Sequence, residues 1–119
     1  MKGRLTTHVL DLVNGRPTPE LQIQLYRVDS EGTRIHIRSV RTNSDGRVDG
    51  PVLSDSEFKP GIYELLFFVA DYFRTKGVPL PDPPFLDVVP IRFGIADPNS
   101  HYHVPLLISP WGYSTYRGS

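Results

Sequence analysis

The chain has 119 residues and a mass of 13.5 kDa, with thirteen basic residues against thirteen acidic ones and so a formal charge of zero. That length can hide about two-thirds of the unfolded surface without staples, which suits one domain spanning residues 1–119. Balanced charge provides no net field for steering onto nucleic acid or a membrane surface, and the absence of Cys excludes a disulfide scaffold, a thiolate nucleophile and a Cys-ligated metal.

The opening MKGRLTTHVLDL lacks an apolar run of signal-peptide length, and the longest apolar stretch, Leu65–Ala70, is far too short to span a bilayer. A cytoplasmic location is the expectation. Ten Gly and twelve Pro would suggest disorder in a chain poor in large apolar residues, but 39% of this one is hydrophobic. They read as punctuation between short strands. Ten of the thirteen cations are Arg, the residue suited to bidentate recognition of anions and carbonyls.

Leu5–Asp11 (LTTHVLD) is the first predicted strand, closed by Asn14-Gly15. Leu21–Val28 alternates with Leu21, Ile23 and Leu25 on one face and Gln22 and Gln24 on the other. After a turn at Asp29–Gly32, Thr33–Thr42 sets Ile35 and Ile37 against Arg34, His36 and Arg38. Ser44-Asp45-Gly46 turns the chain again and leaves Arg47 immediately after the glycine. Gly61–Ala70 is the most hydrophobic segment and a predicted central strand. Asp71–Lys76 is a predicted short helix, stopped by Gly77 and Pro79. Beyond a Pro-rich loop come strands at Phe85–Ala96, His101–Ser109 and Tyr113–Arg117. About eight strands joined by hairpin turns, with one short helix, describe an all-β antiparallel sandwich.

Alternation then shows which polar residues can share an outer face. In HYHVPLLIS, Tyr102, Val104, Leu106 and Ile108 fit a core, leaving His101 and His103 on the other side with Pro105 and Leu107. His8 and Leu10 lie opposite Val9, and Ser114 and Tyr116 lie opposite Arg117. His8, His103, Ser114 and Tyr116 can therefore line one patch if their three strands are neighbours in a single sheet. The bland reading of each His is a solvated residue on a polar strand face. His-X-His also has metal-ligand spacing, but no acidic residue or third His stands near it in sequence to complete a zinc site. No Gly-X-Ser-X-Gly elbow marks a serine nucleophile. Arg47, if fixed near an imidazole, would hold that His neutral by penalising a second positive charge and would pair with a carbonyl-rich or anionic ligand. A neutral His is the natural base for activating water. The carboxyl terminus packs a Trp, two Tyr and an Arg into its last nine residues, unlike the frayed end of most chains.

THVLD, TNSDGR (Thr42–Arg47), RFGIADP (Arg92–Pro98), HYHVPLLISP (His101–Pro110) and the terminal YSTYRGS together resemble the 5-hydroxyisourate hydrolases, the transthyretin-related enzymes of urate degradation. The resemblance covers essentially the whole chain. It implies a transthyretin-like sandwich of two four-stranded antiparallel sheets with one short helix, assembled as a homotetramer (a dimer of dimers) with sites at the dimer–dimer interface. The implied reaction opens the six-membered ring of a small purine-derived substrate, 5-hydroxyisourate, without cofactor or metal. By motif, His8, Arg47, His103 and Ser119 are the expected catalytic set, and Ser114, Tyr116, Arg117 and Gly118 join His8 and Arg47 in substrate binding. The alternative is a transthyretin-like carrier that holds a small ligand without catalysis.

Overall fold

Alternating apolar residues build two sheets, and a computed structural model of the chain describes residues 2–119. The first sheet contains β1 (Arg4–Asp11), β2 (Arg16–Pro17), β5 (Leu53–Ser54), β8 (His101–Ser109) and β9 (Gly112–Thr115). The second contains β3 (Gln22–Val28), β4 (Arg34–Arg41), β6 (Gly61–Phe67) and β7 (Val89–Ile95). Its spatial order is β4-β3-β6-β7, while the first runs β2-β1-β8-β9 with β5 also paired to β1. An α-helix, α1 (Val69–Thr75), follows β6, and a short 3-10 turn spans Asp55–Glu57.

The facing sides of the sheets form the core. Leu5, Val9, Leu106 and Ile108 from one sheet meet Ile23, Leu25, Leu65 and Phe67 from the other, and all are essentially inaccessible. Each such side chain contributes about 1.5–3 kcal/mol through burial. The predicted inward set Tyr102, Val104, Leu106 and Ile108 is buried throughout, so the opposite side of β8 faces outward.

The expected transthyretin-like sandwich is present, with differences in detail. β1 and β8 run parallel, pairing Thr6 with His103 and His8 with Pro105, whereas the other strand pairs are antiparallel. The segment expected as one strand over Gly61–Ala70 ends at Phe67, because Val69 and Ala70 enter the helix. Val69, Ala70, Tyr72 and Phe73 bury one helical stripe, a period of 3.6 hidden within an apolar run. The helix therefore begins two residues before the expected Asp71. It ends in a Schellman cap: Val78 N–H donates to Phe73 O and Gly77 N–H to Arg74 O, with Gly77 at φ +75°.

The strand expected over Phe85–Ala96 begins only at Val89, and that expected over Tyr113–Arg117 covers Gly112–Thr115. Short β2 and β5 had no alternation to reveal them. On β4 the register slips so that Leu25 opposes Arg38 and Tyr26 opposes His36. Ile37 is the extra residue of a bulge, and the alternation of Ile35 with Ile37 fails: Ile35 is 51% exposed.

One buried carboxylate ties the helix to the first sheet. Asp11 accepts hydrogen bonds from Tyr72 Oη (2.6 Å), Asn14 Nδ2 (2.6 Å) and the backbone N–H groups of Val13 and Asn14. Burial pushes the Asp11 carboxyl up, but these four donors outweigh it and leave its pKa below the usual carboxylate value.

Candidate active site

The outward side of β1 and β8 carries the polar residues that the core excludes. Parallel pairing sets Thr6 beside His103 and brings His101 within reach of the same hydroxyl. Thr6 Oγ1 lies 2.7 Å from Nε2 of His101 and 2.8 Å from Nδ1 of His103, and the two rings stand 6.2 Å apart between centroids.

Arg47 reaches this face through the turn after β4. Asn43 organises that turn: its Oδ1 accepts the N–H groups of Asp45 (2.9 Å) and Arg47 (3.2 Å), and its carbonyl accepts Gly46 N–H. Gly46 sits at φ +73°, where a side chain is disfavoured, and its carbonyl accepts the N–H of Val9 on β1. Backbone pairing of His8 with Arg47 completes the docking. The guanidinium forms no ion pair among the described residues, so its donors remain free for a ligand.

The His8 ring is turned onto the same turn, with Nε2 2.9 Å from the Asp45 carbonyl. A carbonyl only accepts, so Nε2 carries the proton and Nδ1 is the acceptor nitrogen of neutral His8. Burial, and then the positive charge of Arg47, lowers the His8 pKa from its ordinary value. The half-buried His103 is lowered by burial first, then by Arg47, His101 and His8. Both imidazoles are therefore neutral at neutral pH. His101 is also lowered, by burial and then by Arg4 and Arg117.

The tail closes this region. Gly118 N–H donates to the His103 carbonyl at 2.7 Å, and the two residues pair as an isolated bridge. A Cβ at Gly118 would stand only 2.6 Å from Cδ2 of the His103 ring, so the glycine makes room for the imidazole. Ser119 then joins Arg4, Thr6, Arg47, His101 and His103 around a cleft of about 380 Å³. That volume falls within the range of about 300–1,000 Å³ typical of small-molecule sites.

The expected residues do not all converge. Arg47, His103 and Ser119 line the cleft, His8 stands beside it, and Gly118 packs against the His103 ring. Ser114 pairs with Leu107 farther along β8 and is exposed. Tyr116 is 62% exposed and lines a separate groove with Ile91 and Phe93. Arg117 lies over the Tyr102 ring at 4.1 Å and donates to the His101 carbonyl, outside the cleft. Arg4, Thr6, Thr7, Val48 and His101 also line the cleft without having been expected as site residues. Parity already placed His101 beside His103; the signal for Thr6 required the register between β1 and β8.

His103, the free guanidinium of Arg47 and Ser119 around one cleft, with the neutral His8 at its edge, suit the activation of water against a polarised carbonyl. Among the described residues, no three His, Cys, Asp or Glu side chains cluster closely enough to hold a metal ion. No helix among them is long and apolar enough to cross a membrane.

Comparison with known proteins matches the HIUase/Transthyretin family over residues 5–118. A relative from Rhizobium meliloti (strain 1021), 5-hydroxyisourate hydrolase 2, is 63% identical over 98% of this chain and 97% of its own length. The solved structure of (S)-allantoin synthase aligns with a TM-score of 0.93 and 48% identity over 99% of this chain, which spans 44% of the synthase chain. That of Klebsiella pneumoniae 5-hydroxyisourate hydrolase aligns with a TM-score of 0.80 and 32% identity, covering 98% of this chain and 99% of the other.

Proposed function

The chain belongs to the HIUase/Transthyretin family, and on that premise we propose that it hydrolyses 5-hydroxyisourate in the cleft beside His8, Arg47 and His103. The reaction opens the six-membered ring at an amide bond and gives 2-oxo-4-hydroxy-4-carboxy-5-ureidoimidazoline. Likeness to named hydrolases over nearly the full length supports the substrate. The observation that carries the site assignment is the convergence of Arg47, His103 and Ser119 on one cleft, with His8 paired to Arg47 at its edge.

Two neutral imidazoles position a water, and one takes its proton as the oxygen adds to the ring carbonyl. Arg47, free of any carboxylate partner, stabilises the oxyanion that develops, a role worth roughly 3 kcal/mol in comparable settings. Ser119 contributes to the cleft wall. Gly118 serves by admitting the His103 ring. Ser114, Tyr116 and Arg117 lie outside this cleft in the single chain, so their contribution to substrate binding belongs to the assembled protein.

That assembly is a homotetramer, a dimer of dimers whose sites open onto the dimer–dimer interface. In support, Leu12 (57% exposed), Trp111 (63%) and Tyr113 (44%) crowd one end of the site-bearing sheet, an apolar surface suited to being covered. A carrier reading draws no support from a cleft walled by Arg, His, Thr and Ser.

The test is to generate 5-hydroxyisourate from urate with urate oxidase and follow decay of its near-ultraviolet absorbance with and without the protein. Acceleration in proportion to protein concentration is the expected result. Decay at the spontaneous rate throughout would end the hydrolase reading.

A further inference from the structure

Thr6 presents one hydroxyl to two imidazoles, at 2.7 Å from His101 Nε2 and 2.8 Å from His103 Nδ1. A hydroxyl has one proton to donate and lone pairs to accept. When His103 gives its Nδ1–H to Thr6 Oγ1, the hydroxyl proton is free to point at His101 Nε2. In that arrangement His103 keeps an unprotonated Nε2 for the cleft, and His101 carries its proton on Nδ1. The tautomers of the two rings are thus tied through Thr6.

The rings differ in setting. His103 is half-buried, faced by Arg47 from the turn, by His101 on its own strand and by His8 from β1. His101 is exposed, faced by Arg4 from β1 and Arg117 from the tail. A proton retained on His103 would sit beside Arg47 on a half-buried ring, whereas solvent reaches the exposed His101 more fully and screens a cation there from Arg4 and Arg117. Neither the free Nε2 of His103 nor Nδ1 of His101 has a hydrogen-bond partner among the described residues.

We propose that Thr6 and His101 form a proton relay behind His103. As a water O–H bond breaks, its proton bonds to His103 Nε2. The His103 Nδ1–H passes to Thr6 Oγ1, and the original Thr6 hydroxyl proton passes to His101 Nε2. The new hydroxide oxygen bonds to the substrate carbonyl carbon, and the positive charge resides on His101 instead of beside Arg47. Reversal of the same path delivers the proton needed by the departing ring nitrogen. Thr6 and His101 are positioning residues in this scheme, since they act through His103. The relay rests on the hydrolase reading of the cleft.

Steady-state kinetics of the full chain test it, with Thr6→Val, Thr6→Ser, His101→Gln, the Thr6→Val/His101→Gln double variant and His103→Asn beside wild type. Thr6→Val and His101→Gln are each expected to lower kcat on the order of 10²-fold with KM little changed. Thr6→Ser, which keeps the hydroxyl, restores most of the rate. The double variant is expected to be no slower than the slower single one, as for two parts of one path. In His101→Gln the acidic limb of the pH profile moves up, because one of the charges depressing His103 has gone. Wild-type kcat in either Thr6→Val or His101→Gln, alongside an impaired His103→Asn, would overturn the relay while leaving the hydrolase reading intact. An inactive wild type would remove the reading beneath it. Should Thr6→Val fail to fold, the exposed position of His101 lets His101→Gln decide alone.

Discussion

Gly118→Ala probes how closely the tail is fitted to the His103 ring. Gly118 is not among the residues held at positive φ, so alanine brings no backbone penalty of its own and only space is at issue. The added Cβ would stand 2.6 Å from Cδ2, 3.2 Å from Cγ and 3.3 Å from Cβ of His103. Carbon atoms rest at about 3.5–4.0 Å, so ring and tail must part by roughly 1 Å. The 2.7 Å bond from Gly118 N–H to the His103 carbonyl holds the two backbones together, which directs the strain into the ring. That ring is also held at 2.8 Å by Thr6, and moving it lengthens this bond. A displacement of about 1 Å at a reacting group costs on the order of 10² in rate. Gly118 lies beyond β9, away from the core, so a stability loss within about 1 kcal/mol, or roughly 4 °C in Tm, is expected. The assay pairs kcat, from decay of 5-hydroxyisourate absorbance, with a thermal melt. Wild-type kcat in Gly118→Ala would refute the close fit. A parallel collapse of kcat and Tm would make the tail a structural element instead.

Arg47→Met should lower kcat by about 10²–10³-fold if the guanidinium stabilises the oxyanion, and should shift the acidic limb of the pH profile upward, since its charge depresses both His8 and His103; an unchanged profile would separate Arg47 from the imidazoles. In the wild type, kcat should hold as pH falls to about 6.5 and then decline through the lowered His values; a flat profile from about pH 5 to 8 would contradict a neutral imidazole base. The stability linkage has the same sign: between the lowered native values and about 6.5 the unfolded chain binds more protons than the native one, so acidification there weakens the fold, measurable by denaturant titration. Tyr72→Phe removes a donor from the buried Asp11 carboxylate and should cost about 1.5–3 kcal/mol of stability with kcat unchanged; an unaltered Tm would show that the remaining donors satisfy Asp11 alone.

Alternation was sufficient to read β8, whose bounds His101–Ser109 match the expected strand and whose inward residues are those in the core. It failed where another period or a bulge intervened. Val69 and Ala70 continue an apolar run yet bury a helical stripe, and the unpaired Ile37 on β4 breaks the alternation that would have buried Ile35. The site was legible wherever a residue's face followed from its own strand: His8, His101 and His103 all lie outward as parity requires. Thr6 was not legible as a site residue, because its role depends on the pairing of two strands 97 residues apart. Nor could the tail be placed from strand parity. Tyr116 lies past the end of β9, where strand parity no longer holds, and lines another groove, while the side-chain-free Gly118 fits against the imidazole.

The rate of 5-hydroxyisourate ring opening by His103→Asn, compared with wild type at equal folded concentration, bears most directly on the cleft as a catalyst. Loss on the order of 10²-fold or more, with Tm within a few degrees, is the predicted result. Turnover at the wild-type rate by that folded variant would contradict it.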